Sequence, residues 1–239
     1  MKKFLAVLLI FVSLTEICGC VNSKQETENK INSMQAFAED KYNKEFKYEY
    51  FVEAFDETYT NILSLSDGEV VFNVYMEESS DVLYDDYASA ILNNKFIEYV
   101  KDKNEILDSD IEIYSNIMLI GRESYTYEYI TDNTIDEIIK ENEFLKIILI
   151  VKVADIETNK QPIFELYNFV CNLSPEHIDF QIIDVSETNE NLEKMLNNLP
   201  GHYSNDWDKY QEIESYVSIN EKDISTKEEL FENVVKINL

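Results

Sequence analysis

Cysteine and histidine are the side chains best suited to nucleophilic or metal chemistry, and this 239-residue chain has few of them. The cysteines are Cys18, Cys20 and Cys171, and the histidines are His177 and His202. Zinc sites favour histidine and cysteine at short spacings, and no such pair of the two residue types occurs. Cys171 falls on the apolar stripe of a predicted helix, which favours packing in the core. A reactive thiol and an intermolecular disulfide are the alternatives.

Acidic residues are too numerous for any one pair to identify a catalytic site. Asp132-x-Thr134-x-Asp136 and Asp206-x-Asp208 have part of the spacing of oxygen ligands, but both lack the glycine and the terminal glutamate of a calcium-binding loop. With 4 glycines the chain has no glycine-rich phosphate loop, and it has no Gly-x-Ser-x-Gly turn. The sequence therefore predicts no catalytic residue, no metal ligand and no cofactor.

Tyrosines supply the one pattern that suggests a binding surface. Tyr125, Tyr127 and Tyr129 alternate within residues 124–130, which predicts a strand with all three rings on one face. Tyr48 and Tyr50 alternate in the same way, and we expect them on a neighbouring strand. Exposed tyrosines are rigid amphipathic contacts for peptides, glycans or proteins, so the three alternating tyrosines are the candidate binding residues. The alternative is that these rings form the core face of their strand.

Interleaved helices and strands must position these side chains. In the first half, apolar spacing predicts a helix over 29–46, a strand over 48–55, a second strand over 70–76 paired with it, a helix over 81–106 and a strand over 111–120. The second half adds a strand over 124–130, a helix over 134–143, a strand over 145–153, a helix over 163–171, a strand over 179–185, and helices over 192–199 and 225–235. Thr134 and Glu137 have the spacing of a capping box at the start of the helix over 134–143. The succession of strand, helix and strand from 145 to 185 resembles a βαβ crossover. We therefore predict an α+β fold in which sheet and helices pack together.

The amino terminus has the order of segments found in an export signal. Lys2 and Lys3 open the chain, and the apolar run over 4–14 is too short to cross a bilayer as a helix. Residues 17–20 then read Ile-Cys-Gly-Cys, which resembles a bacterial lipobox. The resemblance implies cleavage after Gly19 and attachment of diacylglycerol to Cys20. Two acyl chains suffice for stable attachment, so this implies a lipid-anchored protein on the extracytoplasmic face of the cell membrane.

The amino-acid composition is also consistent with a bacterial protein. Arg122 is the one arginine among 20 basic residues, while lysine, asparagine, isoleucine and tyrosine are frequent, as in AT-rich genomes. Together with the lipobox this resembles the lipoproteins of low-GC Gram-positive bacteria. The expected organisation is a signal peptide (1–19), a lipidated cysteine with a flexible tether (20–32), a first α+β lobe (33–120) and a second α+β lobe (121–239).

Charge limits the partners. The formal net charge is −28, which disfavours a nucleic-acid binder, and an aromatic fraction of 13% is too high for a disordered acidic tail. We expect a membrane-anchored, non-catalytic binding module whose partner is a basic protein or peptide. The alternatives are a tethered extracytoplasmic hydrolase or folding factor, and the solute-binding component of a transporter. The oligomeric state stays open.

Overall fold

The computed structural model describes residues 24–54, 60–77, 79–104, 110–119, 126–142, 145–173, 177–185, 192–193, 196, 207, 211–219, 224–232 and 234–236. These residues form helices and two mostly antiparallel sheets, which confirms the predicted α+β fold. The chain divides into two compact units, one ending at Asp85 and the other beginning at Asp86. The sequence analysis placed this division after residue 120. The predictions for residues 1–23, including Gly19 and Cys20, lie outside the described residues.

The first unit is a helix followed by a four-stranded antiparallel meander. Helix α1 covers 24–42, and the strands, paired in chain order, are β1 (Lys47–Val52), β2 (Thr60–Ser66), β3 (Val71–Glu77) and β4 (Leu83–Asp85). One face of the central strands is apolar and buried, and its members are Leu63, Leu65, Phe72, Val74 and Met76. This apolar face is the core of the unit.

Helix α1 begins earlier than the sequence analysis predicted. Residues 24–32, predicted as a flexible tether, are helical. They are mostly lysine, glutamine, glutamate and asparagine, and the first three are good helix formers that need no apolar period to be helical. Packing stabilises the helix further along, since Met34 and Ala38 are fully buried.

Strand β2, which the sequence does not predict, changes the pairing of strands in the first unit. The strands over 48–55 and 70–76 were predicted to pair with each other, but β2 lies between β1 and β3 and pairs with both. The sequence of β2, TNILSLS, alternates only over residues 63–66, because Asn61 lies on the apolar face and Ile62 on the opposite one. The alternating part is therefore shorter than the strand, and the turn at Asp67 and Gly68 follows it directly.

The second unit is built on a five-stranded sheet with the order β5-β6-β7-β8-β9. Its strands are β5 (Ile111–Leu119), β6 (Leu145–Val153), β7 (His177–Val185), β8 (Ile213–Ile219) and β9 (Val235–Lys236). The parallel neighbours β6 and β7 are joined by α5 (Ile156–Asn172), which confirms the predicted βαβ crossover. All but one residue of β6 are buried, as its continuous apolar run predicts.

The described part of the second unit contains four more helices, α2 (Tyr87–Lys103), α3 (Tyr127–Asp132), α4 (Ile135–Glu141) and α6 (Lys227–Phe231). Residues 192–193 and 196, within the helix predicted over 192–199, are helical as well. The predicted capping box of Thr134 and Glu137 begins α4. A second capping box, Thr226 with Glu229, begins α6 one residue later than predicted, and that helix ends at Phe231, before β9. Helix α2 packs on β5, which is why residues 86–120 belong to this unit and not to the first.

The predicted tyrosine strand over 124–130 is wrong for the residues described. Thr126 is the N-cap of α3, its side chain accepts a hydrogen bond from the Tyr129 N–H, and residues 127–132 are helical. In this short segment the cap outweighs the β-propensity of the tyrosines. Tyr125 lies outside the described residues.

Candidate functional site

The face of the first sheet that lies opposite α1 is the candidate site, and its position follows from the strand register. Tyr50 lies opposite Ser64, which lies opposite Asn73. Val52, Ile62, Tyr75 and Tyr84 are aligned in the same way across all four strands. Directly opposed residues in antiparallel strands point to the same side of the sheet. We call this surface the tyrosine face, and its members are Tyr50, Val52, Ile62, Val71, Tyr75 and Tyr84, with Ser64 and Asn73 at its centre.

A β-bulge decides which tyrosine of β1 belongs to this face. The register shifts between Tyr48 and Tyr50, so that Tyr48 lies opposite Leu65 and Tyr50 opposite Ser64. The two rings, two residues apart, therefore point to opposite sides of the sheet. Strict alternation predicts one shared face for them, and the extra residue at Glu49 is the reason that this prediction is wrong.

The helix side of the sheet is fixed by a buried carboxylate. Asp85 lies opposite Val74 on the apolar face, and its side chain is 1% exposed. Tyr42 Oη donates to Asp85 Oδ1 and Lys41 Nζ to Asp85 Oδ2, both at 2.7 Å. These two bonds hold the end of α1 to β4, so α1 covers the apolar face and not the tyrosine face.

The tyrosine face is accessible at its margins. Val52 and Tyr84 are each 45% exposed and Val71 is 40% exposed, which is high for apolar side chains on a sheet. The Tyr75 and Tyr84 rings stack with their centroids 5.0 Å apart and 14° between their planes. A paired ring system of this kind is a flat, rigid contact surface of low conformational entropy.

The centre of the tyrosine face is polar. Ser64 is fully buried and Asn73 is 4% exposed, and the two lie directly opposite each other on β2 and β3. Within the part of the chain that the structure describes, the Ser64 hydroxyl has no hydrogen-bond partner. A hydrophobic core would place aliphatic side chains at these two central positions. The face therefore combines exposed apolar and aromatic margins with a polar centre that is buried.

The electrostatic surroundings of the tyrosine face are acidic. Residues 24–85 contain 15 acidic side chains and 5 lysines, with no arginine or histidine. Glu77 is exposed on the same side of β3 as Tyr75, and Asp81 is exposed in the turn that follows. Lys47, the one basic residue in the four strands, lies on this face opposite Ser66, and its ammonium lies 2.8 Å from Glu49. The face therefore favours a cationic ligand over an anionic one.

A buried polar chain in the second unit has a structural role. The Trp207 indole N–H donates to Gln181 Oε1 at 2.8 Å, and Gln181 Nε2 donates to Asp179 Oδ1 at 2.9 Å. All three residues are at most 4% exposed. Because each polar group is hydrogen-bonded to the next, these three residues fix Trp207 against β7. They have no outward-facing group for a substrate.

Ionisable groups on the second sheet are also paired with one another. Lys152 Nζ lies 2.8 Å from Glu112, and Tyr114 Oη donates to the other oxygen of the same carboxylate at 2.8 Å. Burial tends to raise the pKa of Glu112, but the bonds from Lys152 and Tyr114 outweigh it and hold that pKa below its usual value. Burial, together with the Glu112 carboxylate, raises the pKa of Tyr114. This cluster is a structural ion pair at the edge strand β5.

The predicted tyrosines do not form one surface among the described residues. The Tyr127 ring stacks on the ring of buried Tyr87 at 5.5 Å, and Tyr129 Oη donates to Glu141 at 2.9 Å. Both side chains therefore tie α3 to its neighbours α2 and α4. Of Tyr48, Tyr50, Tyr127 and Tyr129, the singled-out tyrosines that the structure describes, only Tyr50 lies on the tyrosine face.

The other sequence candidates have structural positions where they are described. Thr134 is a helix cap, and Asp136 accepts a hydrogen bond from Tyr99 at 2.6 Å. Cys171 is half-buried and packs against the core, as its apolar stripe predicts. His177 begins β7. His202, Asp206 and Asp208 lie outside the described residues. No group of three or more potential metal ligands occurs in the described ranges.

Sequence reasoning missed most of the tyrosine face because its members come from four strands, two of which were not predicted. Strand β2 was not identified, and β4 falls within the helix predicted over 81–106. The signal that was present is the alternation of leucine and serine over residues 63–66 of β2. Among the helices that the structure describes, none has the length and apolar character needed to span a bilayer. No protein-family model, no curated protein and no solved structure matches this chain.

Proposed function

We propose that this chain is a lipid-anchored, extracytoplasmic binding module that captures a basic protein or peptide close to the membrane. The observation that carries the proposal is the accessible tyrosine face on a strongly acidic first unit. Aromatic side chains with exposed edges provide contact area, and the surrounding carboxylates attract cations from a distance. The lipobox-like residues 17–20 supply the proposed anchor.

The start of α1 supports a site close to the membrane. Helix is present from residue 24, so four residue steps separate Cys20 from the folded unit. Even when fully extended, four residues span at most about 14 Å. An anchored first unit would therefore stay next to the lipid headgroups instead of ranging on a long tether. A membrane-bound receptor with this geometry meets partners that already move along the surface.

The anchor is tested by replacing the proposed lipidated residue. In cells fed labelled palmitate, we expect the wild-type chain to carry label and to remain with membranes, and Cys20→Ser to lose both properties. Cys171→Ser is the matched control, because it also removes one thiol but leaves the lipobox intact. Label that persists in Cys20→Ser, or is never incorporated by the wild type, would refute the anchor.

The binding activity is tested separately with the purified full chain in a neutral maltoside detergent. We expect it to bind a ten-residue peptide of alternating arginine and serine at about 0.15 M salt, where surface charge is screened beyond about 8 Å. A peptide of alternating glutamate and serine is the control and should not bind. Equal binding of the two peptides, or of neither, would refute the proposal of a basic partner.

A further inference from the structure

We infer that the tyrosine face is the site at which the partner binds, and that its ligand is an extended polypeptide segment with arginine or lysine at alternate positions. This inference rests on the proposed function and assigns it a place and a ligand geometry. Three features carry it: the positions of the tyrosine rings, the polar centre, and the charge around the face.

The rings are spaced to contact two cations of one extended chain. Tyr50 and Tyr75 are two strands apart and offset by two residues, so their Cα atoms are separated by about 12 Å in regular sheet geometry. In an extended peptide, residues four apart lie about 13 Å from each other and on the same side. Arginine or lysine at such positions would place one cation at Tyr50 and another at the stacked pair of Tyr75 and Tyr84. Tyrosine rings attract cations that lie over their faces.

The polar centre disfavours a second copy of this chain as the occupant. A permanent dimer formed through a sheet face needs a dry, apolar middle, and here the middle is Ser64 and Asn73. Two copies would also bring two strongly acidic units into contact. A basic peptide needs no dry middle, because it would meet the face at its exposed margins, Val52, Val71 and Tyr84.

The charges around the face select a basic ligand. Glu77 and Asp81 are exposed beside the Tyr75 and Tyr84 pair, while the single lysine of the four strands is paired with Glu49. An acidic or phosphorylated segment would meet net repulsion here.

The edge of the sheet is a poorer site than its face. An extended segment could instead add to β1 as a fifth strand, but the bulge at Glu49 interrupts the regular row of backbone groups along that edge. Bulges and charged residues at an edge oppose strand addition. We therefore place the ligand across the tyrosine face.

The test compares two tyrosines of equal exposure on opposite sides of the sheet. Tyr84 and Tyr48 are each 45% exposed and lie on the two edge strands, but Tyr84 belongs to the tyrosine face and Tyr48 does not. Using the full chain and the arginine–serine peptide, we expect Tyr84→Ala to weaken binding about fivefold. Tyr48→Ala should leave the affinity unchanged, and Tyr84→Phe should retain most of it.

A second variant keeps the test informative if Tyr84→Ala disturbs the fold. Val71→Lys places a cation on the face at a position that is 40% exposed, and it should weaken binding of the arginine peptide by charge repulsion. If the wild type binds and neither variant weakens binding, the tyrosine face is not the site, although the proposed function stands. If the wild type does not bind, the proposed function fails as well. Displacement of the peptide by neutral glycan fragments, or self-association through this face, would overturn the choice of ligand.

Discussion

The buried chain of Trp207, Gln181 and Asp179 permits a quantitative test of the second unit. Gln181→Leu keeps the volume of the side chain similar but removes the acceptor of the indole N–H and the donor to the carboxylate. Leaving a buried polar group without its partner costs about 1–3 kcal/mol, and bonds to charged groups lie at the upper end. Two hydrogen bonds are lost, and the apolar leucine side chain offsets part of that cost. We therefore expect the free energy of unfolding to fall by about 3 kcal/mol.

The assay uses a reporter that the chain already contains. Trp207 is the single tryptophan and is 1% exposed, so its fluorescence reports on this site alone during urea unfolding. Far-ultraviolet circular dichroism measured in parallel follows the helices and strands. The control is Gln161→Leu, which changes an exposed glutamine on α5 and should alter stability by less than about 0.5 kcal/mol.

A charged variant at the same position tests the direction of the hydrogen bonds. Gln181→Glu keeps an acceptor for Trp207 but places a second carboxylate where the Gln181 amide now lies 2.9 Å from Asp179. Two carboxylates at this distance must share a proton, so the folded state of the variant binds protons more tightly than the unfolded state. Its stability relative to the wild type should therefore recover as the pH falls. A loss below about 1 kcal/mol for Gln181→Leu, or a pH-independent loss for Gln181→Glu, would refute the assigned network.

Three further predictions concern the second unit. The Lys95 ammonium donates to three carbonyl oxygens at the end of α3, at 2.6, 3.2 and 3.2 Å, so Lys95→Met should lower the free energy of unfolding by about 2 kcal/mol in urea titrations. Exposed Lys101 on the same helix is the control, and an equal effect of Lys101→Met would contradict this role. Burial and the bond to Asp136 raise the pKa of Tyr99 to about 12, above its usual 10.0. The stabilisation from the protonated phenol is therefore complete below pH 10 and is lost as the pH rises towards 12, so the cost of Tyr99→Phe in alkaline denaturation should vanish over that range. Burial raises the pKa of Asp184 above its usual value in spite of bonds from a serine hydroxyl and a backbone N–H, so the folded state favours the protonated form. Asp184→Asn should therefore stabilise the protein at neutral pH, and thermal unfolding should show this gain disappearing as the pH falls through that raised pKa.

The elements with strong local signals are the ones that the sequence analysis predicted well. The continuous apolar run of β6, the stripe of α5 and the alternation of β7 led to the crossover, and the Thr134 capping box located the start of α4. Each of these signals lies within about ten to twenty residues of sequence. Their interpretation does not depend on what packs against them.

The wrong secondary-structure predictions fall where two local sequence signals conflict. Residues 127–132 combine tyrosines, which favour strands, with a threonine N-cap, and the cap with its helix prevails. In β1 the alternation is real, but the bulge at Glu49 moves Tyr48 to the other side. Strand β2 alternates only over residues 63–66, because Asn61 and Ile62 reverse the pattern at its start.

The candidate site was only partly predictable for a related reason. Aromatic residues were identified as binding candidates, and Tyr50 is one of them. The tyrosine face, however, is assembled by register across four strands, with Tyr75 and Tyr84 brought together from β3 and β4. A sequence pattern read along the chain does not contain that pairing.

The bulge in β1 also has a consequence for how this protein can change over evolutionary time. Because the register on each side of the bulge is already offset by one, deleting Glu49 would leave Tyr48 opposite Leu65 and Tyr50 opposite Ser64. Both surfaces of the sheet would keep their present side chains, and the losses would be one ion pair with Lys47 and the irregular edge that opposes strand addition. A chain shorter by one residue at this point is therefore compatible with the present composition of both faces, but it leaves a more regular edge strand.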